Sequence, residues 1–326
     1  MTDALLDRFP RLNVLVIGDA VLDEYVIGRA ERLSREAPIP VLEVQERRAI
    51  PGGAANPAVN AAALGARAAL LTVVGADEQA ARLREALGAR GVETGGLVTD
   101  AQRSTTVKTR ILARTGTAFP QQMARLDSVA RGPLSPASAN RLIDCAARRA
   151  RYADALLVSD YRSGLLTPDL LDGMRACAAS PAALLAADAQ GDFDKYAGFD
   201  LMKCNADEAA GYLGQALSTD DDFAAAARAI CARLSLRRGM IITRGADGAT
   251  WADAAGLAGH VSAPQVADVF DTVGAGDTAV AVLTLALCAG ADLPTAARIA
   301  NAASGIAVRH VGNYAPSLAE LRAALT

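Results

Sequence analysis

The stretch DTVGAGDTAVA, Asp271 to Ala281, sets a turn of small residues and two carboxylates against an uncharged run. From Thr278 to Ala291 there are fourteen residues without a charge. That is too short to cross a bilayer and long enough for a buried helix of about 20 Å. A helix opening at Gly274-Ala275-Gly276-Asp277 would point its unpaired N–H groups and positive dipole end outward. Small residues there would let a phosphate come close to the backbone. A plainer reading is also open, in which the glycines make a tight turn and Asp277 is an acidic first-turn residue. The rest of the chain has to decide between them.

Outward from this turn, short apolar runs alternate with alanine-rich helical stretches. Asn13–Ile17, Ala68–Val74, Ala155–Val158, Ala183–Ala187 and Met240–Thr243 read as buried parallel strands. Asp77–Leu87, Ser135–Tyr152, Pro168–Ala178, Asp207–Leu213, Asp221–Leu234 and Pro294–Val308 read as helices, several opening on Asp, Ser or Pro. Right-handed crossovers then place helices on both faces of one sheet, an α/β architecture. Two segments break the rhythm. Val21–Val44, with PIPVLEV, and Thr105–Asp127, with TTVKTRILAR and QQMARLD, alternate with period two and read as a β insertion with one covered face and one wet face.

The bulk properties exclude several classes. With 326 residues, 52% hydrophobic content and a formal charge of −3, the chain can bury a sizeable core and lacks the signature of disorder. Its cations are nearly all arginine, with Lys108, Lys195 and Lys203 the only lysines, and no basic block argues for nucleic acid. The apolar run Leu12 to Ile17 is too short for a signal segment or a membrane span, so a cytoplasmic protein is expected. Cys145, Cys177, Cys204, Cys231 and Cys288 are scattered without a CxxC pair, which suits reduced thiols. His260 and His310 stand far from any cysteine spacing that would hold zinc, and neither sits in a nucleophile context.

DTVGAGDTAVA together with PGGAANPAVNAAALGA, Pro51 to Ala66, closely resembles the two signature segments of the ribokinase-like, or PfkB, carbohydrate kinases. The likeness covers nearly the whole chain. It includes GDAVLDEY after the first strand, NADE at Asn205–Glu208, TRGADG at Thr243–Gly248 and ANAASGIAV near the C-terminus. The resemblance implies a three-layer α/β/α fold with a mainly parallel central sheet and a small β lid. It further implies one kinase domain over 1–326, the lid being inserted from about 21–50 and 105–127.

It also implies roles. Asp277 would be the base that takes the proton of a sugar hydroxyl attacking the γ-phosphate of ATP. The backbone around Gly274, with the N–H groups of Ala275, Gly276 and Asp277, would form the anion hole. Phosphoryl transfer asks mostly for positioning and charge stabilisation, and a fixed helix N-terminus supplies both. Asn205 and Glu208 would organise Mg²⁺ and its waters beside the phosphates, although Asn-x-x-Glu is equally a capping box and the two roles can coexist. Thr243, Arg244 and Gly245 would lie at the ATP phosphates and Asn301 near the adenine, with a surface arginine and a helix-face asparagine as the plainer alternatives. Asp23, Gly52, Gly53 and Asn56 would bind the sugar; Asn56 followed by Pro57 also reads as an N-cap and first helical residue. Asp271, Val273, Ala307 and Gly312 match a loop that holds a monovalent cation in several relatives, making K⁺ a candidate ion beside ATP and Mg²⁺.

Within the family, RLSREAPIPVLEV, VKTRILAR, QQMARLD and VSDYRSGLLT resemble the heptose-7-phosphate kinases of lipopolysaccharide-core synthesis. Two departures stand out. The subgroup's Asp-Pro-Lys-Gly is Asp188-Ala189-Gln190-Gly191 here, and the lysine of its Asp-Tyr-x-Lys-Gly region is missing beside Arg162 and Ser163. A phosphorylated acceptor would need cations, for which Arg32, Lys108 and Arg110 in the insertion are candidates. At this length a single-function kinase is expected, working on a small-molecule sugar or sugar phosphate, without nucleic acid or membrane, as a homodimer through the lid. Two alternatives stay open: a PfkB kinase for another sugar, sugar phosphate or nucleoside, and a non-catalytic sugar or nucleotide sensor on the same fold.

Overall fold

The computed structural model describes residues 2–114, 120–132, 134–178, 183–266 and 268–326. Strands β1 (Asn13–Gly18), β2 (Ala20–Leu33), β3 (Pro40–Gly53), β4 (Arg67–Val74), β5 (Val92–Thr99), β6 (Val107–Arg114) and β7 (Gln121–Ser128) come first. They are followed by β8 (Ala155–Asp160), β9 (Leu184–Ala189), β10 (Leu201–Asn205), β11 (Gly239–Thr243), β12 (Ala249–Asp253) and β13 (Ala258–Val261). The helices are α1 (Thr2–Leu6), α2 (Ala55–Ala63), α3 (Glu78–Gly88), α4 (Pro136–Ala150) and α5 (Pro168–Ala178). After them come α6 (Ala206–Leu213), α7 (Asp220–Arg233), α8 (Ala275–Cys288), α9 (Leu293–Ala307) and α10 (Leu318–Ala324).

Among the described residues, nine strands form the central sheet in the order β13-β12-β11-β10-β9-β8-β1-β4-β5. The run from β5 to β11 is parallel, and β12 and β13 extend it antiparallel. Its strands are apolar throughout because both faces are covered. On β1, Val14 and Val16 belong to one core while Leu15 and Ile17 belong to the other, as strict alternation across a pleat requires. Helix α8 lies within the first core and is buried from Asp277 to Leu287, so it has no solvent face. Burying Leu283, Leu285 and Leu287 contributes roughly 1.5–3 kcal/mol each, which anchors the helix and therefore its N-terminus.

Among the described residues, the two irregular segments form a separate sheet of four strands, β3-β2-β6-β7. Its hairpins β2–β3 and β6–β7 are antiparallel, and β2 and β6 run parallel where the hairpins meet. Of the expected insertion 105–127, residues 115–119 lie outside the described residues. Strand β3 continues past the expected end of the insertion to Gly53, carrying Pro51-Gly52-Gly53 back to the central sheet.

The elements that the sequence patterns did not announce have identifiable reasons. Strand β5 holds Glu93 and the pair Gly95-Gly96, so it shows no apolar run. Strand β10 is interrupted by Lys203, which a buried strand tolerates only when the charge is paired. Strands β12 and β13 are an antiparallel edge of short, mixed composition. Among the described residues no helix is long and apolar enough to cross a membrane.

Candidate active site

The carboxyl ends of β1, β8, β9, β10 and β11 deliver Asp19, Asp160, Asp188, Asn205 and Thr243 to one edge of the sheet, where parallel α/β sheets place ligands. The N-terminus of α8 meets this edge. Gly274 is its N-cap residue with φ of 80°, and a Cβ there would fall 2.6 Å from Asn56 Nδ2 and 2.7 Å from Asn313 Oδ1. Ala275 donates its N–H to Thr272 O at 3.3 Å, so it is partly engaged. Among the described residues, Gly276 and Asp277 donate theirs to no backbone carbonyl. Of the three N–H groups expected to face an anion, two are thus left without a backbone acceptor among the described residues. A Cβ on Gly276 would sit 2.9 Å from Lys203 Nζ, so the absent side chain leaves the way open to that ammonium.

Asp277 is 5% exposed, and both of its oxygens are held. Oδ2 accepts Asn56 Nδ2 at 2.9 Å, and Oδ1 accepts the Tyr161 hydroxyl at 2.7 Å. Asn56 is in turn fixed by Asn60, whose Nδ2 donates to its Oδ1 at 3.0 Å. Burial, with the charge of Asp188 next, pushes the Asp277 carboxyl up to about 6, while its hydrogen bonds and Lys203 pull the other way. The N-cap reading of Asn56 does not hold. Helix α2 is capped at Ala54 without a side-chain bond, Asn56 lies inside its first turn, and its amide turns toward α8.

Lys203 and Asp188 form a buried ion pair, Nζ standing 3.0 and 2.9 Å from the two carboxylate oxygens. Burial raises the carboxyl of Asp188 and opposes the charge of Lys203; the mutual attraction keeps the ammonium protonated, its value held above the usual lysine range. Together with Tyr161, Gln190, Asn205, Glu208, Gly276 and Asp277 the pair lines a cavity of about 160 Å³. Gln190 thus stands where the resemblance led us to expect a lysine, and the cation in this cavity comes instead from the neighbouring strand. Lys203 was readable as a lone lysine in an apolar run just before NADE, although its partner was not.

Asn205 and Glu208 make the capping box of α6, each accepting the other's backbone N–H at 2.8 Å. Only Oε2 of Glu208 is used, and its Oε1 has no hydrogen-bond partner among the described residues. Burial raises this carboxyl. No cluster of three or more His, Cys, Asp or Glu side chains spaced for a metal occurs among the described residues. The donor set therefore fits Mg²⁺ held through waters and ligand phosphates, and does not fit an all-protein cage.

A larger groove of about 1220 Å³ shares Lys203, Asn205 and Gly276 with this cavity and runs past Thr243, Gly245 and Ser304 to Asn301. Asn301 donates Nδ2 to Val261 O at 2.9 Å and Ser262 O at 3.3 Å, which fixes the groove wall. Arg244 is neither a solvated arginine nor a free cation: its guanidinium bonds Asp220 at 2.6 Å and lies 4.2 Å from the Phe223 ring centre.

On the opposite side, Asp23 of β2 accepts Arg110 Nη1 at 2.5 Å and Asn313 Nδ2 at 2.9 Å. A Cβ on Gly52 would fall 1.9 Å from Asp23 Oδ2, so the close passage of β3 demands glycine. Gly53 has a φ of 55°. Of the three cations considered for an acceptor phosphate, Arg110 is committed to Asp23 and Arg32 is exposed near the far end of β2. Lys108 has no ion pair among the described residues and stands 5.5 Å over the Tyr161 ring. Asp271 uses both oxygens on backbone, accepting Val273 N–H at 3.0 Å and Gly312 N–H at 2.9 Å. Its carboxylate shapes the loop, and carbonyl groups would be left to meet a monovalent cation. Asn313 belongs to no motif that the sequence offered, and Tyr161, although it stands within VSDYRSGLLT, carried no assigned role there.

Residues 11–320 match the family described as pfkB family carbohydrate kinase. Over 312 residues the chain is 38% identical to the bifunctional protein HldE of Citrifermentans bemidjiense, covering 95% of this chain and 62% of that protein. The bifunctional protein HldE of Hyphomonas neptunium is 38% identical over 323 residues, covering 99% and 65%. The chain spans a little under two thirds of the length of these relatives. Among solved structures, ribokinase of Arabidopsis thaliana complexed with ribose and ATP superposes with a TM-score of 0.74 at 19% identity, covering 97% of this chain and 98% of that one. Phosphofructokinase-2 of Escherichia coli in complex with potassium gives 0.77 at 21%, covering 96% and 97%. These likenesses establish a ribokinase-like fold. Since the family match runs from residue 11 to residue 320, the chain belongs to the pfkB family of carbohydrate kinases.

Proposed function

We propose that this chain transfers the γ-phosphate of ATP to a phosphorylated sugar, heptose 7-phosphate at its anomeric hydroxyl. The observation that carries the reading is the Asp277 carboxylate, buried at the N-terminus of α8 between the groove and the Asp23–Gly52 side, with both oxygens oriented by donors. In the reaction the acceptor oxygen forms a bond to the γ-phosphorus, the bond from that phosphorus to the β–γ bridging oxygen breaks, and Asp277 takes the hydroxyl proton. A positioned carboxylate contributes about 10²–10⁴ in rate. The free N–H groups of Gly276 and Asp277 and the ammonium of Lys203 would face the charge that spreads over the transferring phosphoryl oxygens. Mg²⁺, when bound through Asn205 and Glu208, neutralises phosphate charge.

The heptose assignment is supported by the subgroup-like stretches VKTRILAR, QQMARLD and VSDYRSGLLT and by 38% identity to HldE proteins. Lys108, without an ion pair beside the site, suits an anionic acceptor. Gln190 in place of the expected lysine favours a second reading, a kinase for a different phosphorylated sugar. Consuming ATP, it would work in the cytoplasm. The small sheet exposes Leu33, Val44, Met123 and Leu126, from 46% to 70%, and we assign this face to a homodimer.

The test is ADP release with heptose 7-phosphate, fructose 6-phosphate, ribose and adenosine, with Asp277→Asn alongside. Turnover on heptose 7-phosphate that the variant lacks supports the proposal. Turnover only on another member of the panel moves the substrate assignment, and none above the variant on any acceptor removes the kinase reading.

A further inference from the structure

The loop after β8 is held more firmly than a connection needs to be. Asp19, buried at the end of β1, accepts the N–H of Tyr161 at 3.0 Å and of Ser163 at 3.1 Å. Asp160 accepts the N–H of Arg162 at 2.8 Å and is itself anchored by the Tyr196 hydroxyl and the Lys195 ammonium, each at 2.5 Å. Arg162 between them adopts a φ of 59°, a left-handed conformation that is unfavourable for a side-chain-bearing residue. Two buried carboxylates and a strained residue thus fix a three-residue loop. What the loop carries into the site is the Tyr161 side chain, whose hydroxyl meets Asp277 Oδ1 at 2.7 Å.

We propose that Tyr161 is a positioning residue for the Asp277 carboxylate: its hydroxyl holds Oδ1 while Asn56 holds Oδ2, fixing the carboxylate plane toward the acceptor hydroxyl. The inference rests on the reading of Asp277 as the base. A carboxylate held by a single donor can turn about its Cβ–Cγ bond. Held on both oxygens by donors from two different elements, it keeps one plane and retains a free lone pair on each oxygen for the incoming proton. Misplacement of a reacting group by about 1 Å costs on the order of 10²-fold in rate, so such fixing is worth a dedicated loop.

The same bond opposes protonation of the base. Asp188 of β9 faces Asp277 as a like charge and Lys203 of β10 as an opposite one, with Glu208 of α6 acting on Lys203. Asp23 of β2 and Lys108 of β6 face Tyr161. Burial and Asp188 favour the neutral acid; Asn56, Tyr161 and Lys203 favour the ion. Burial, with the Asp277 charge next, holds the Tyr161 phenol well above its ordinary range, so it stays a donor throughout the working pH range.

The test is Tyr161→Phe, which keeps the ring under Lys108 and removes only the donor. In the variant, the ¹³C-carboxyl resonance of Asp277, assigned by its loss in Asp277→Asn, should titrate about one pH unit higher than in the wild type. The acid limb of kcat should move with it, kcat at pH 8 should fall about tenfold, and KM for ATP should change less than twofold. An Asp277 titration that stays in place, or moves down, overturns the proposal. The NMR measurement needs no substrate. A shifted titration in a protein that phosphorylates no sugar therefore upholds the Tyr161 contact and removes the kinase reading alone.

Discussion

Asn56 Nδ2 donates to Asp277 Oδ2 at 2.9 Å, and this hydrogen bond joins the two signature segments across 221 residues of chain. Asn56 sits inside the first turn of one helix and Asp277 inside the first turn of another, and both are buried. The segments Pro51–Ala66 and Asp271–Ala281 therefore form one unit. Removing the donor leaves a buried carboxylate oxygen unpaired, at a cost of about 1–3 kcal/mol.

Replacing Asp277 by Asn should stabilise the protein while removing its activity. The carboxyl rises from 3.8 to about 6 in the folded state, with burial the first cause and Asp188 the second. The fold therefore binds the proton more tightly than the unfolded chain, so this group's favourable contribution is full below pH 4 and is lost as pH climbs through about 6. The amide avoids that loss, and the Tyr161 hydroxyl can turn to accept from it. At pH 8 the variant should be more stable by up to about 3 kcal/mol, with the gain vanishing near pH 4 and turnover down about 10²–10⁴. Melting curves at the two pH values check it, and a gain independent of pH would contradict the assigned cause.

The wild-type rate should carry an acid limb near pH 6. Below that value Asp277 takes up a proton and can no longer accept one from the sugar hydroxyl. A pH profile of kcat with saturating ATP and Mg²⁺ reads this directly. A rate flat down to pH 4.5 would mean that the base is some other group.

Lys203 and Asp188 should show strong coupling in a double-mutant cycle. Lys203→Met strands the Asp188 carboxylate in a buried site and should destabilise by about 3–5 kcal/mol. Adding Asp188→Asn should recover most of that loss. Urea unfolding of the wild type, both single variants and the double variant measures the coupling, and strictly additive losses would speak against the pairing.

Gly276→Ala should leave the helix intact and weaken nucleotide binding. Alanine is favoured over glycine within a helix by about 1 kcal/mol, but its Cβ would stand 2.9 Å from Lys203 Nζ and displace the ammonium. The expected result is an unchanged or higher melting temperature with ATP affinity reduced about tenfold, roughly one charge-assisted hydrogen bond. Calorimetric titration with ATP would show unchanged affinity if Lys203 does not reach the phosphates.

The exposed side chains of the small sheet should disappear into a dimer interface. Light scattering at micromolar concentration should report twice the chain mass of 33.5 kDa. Leu33→Glu combined with Leu126→Glu should return the protein to a monomer, since both are more than half exposed in the single chain. A wild-type monomer would refute the assignment.

The sequence by itself determined the layered α/β fold, because buried parallel strands must be apolar runs and the chain writes them as such at 13–17, 68–74, 155–158 and 240–243. It also determined the helix behind DTVGAGD, because fourteen uncharged residues following a glycine turn have few other structures available to them. It could not show β10 as a strand, since Lys203 breaks the apolar pattern and only the approach of Asp188 from the next strand makes a buried ammonium tolerable. Nor could it show Asn56 turning from a cap into a partner of Asp277, or Tyr161 reaching the same carboxylate from 116 residues away. Periodicity and spacing report which face of an element is buried. Which side chains meet at the end of a sheet is decided by how distant strands align, and the tertiary structure alone sets that alignment.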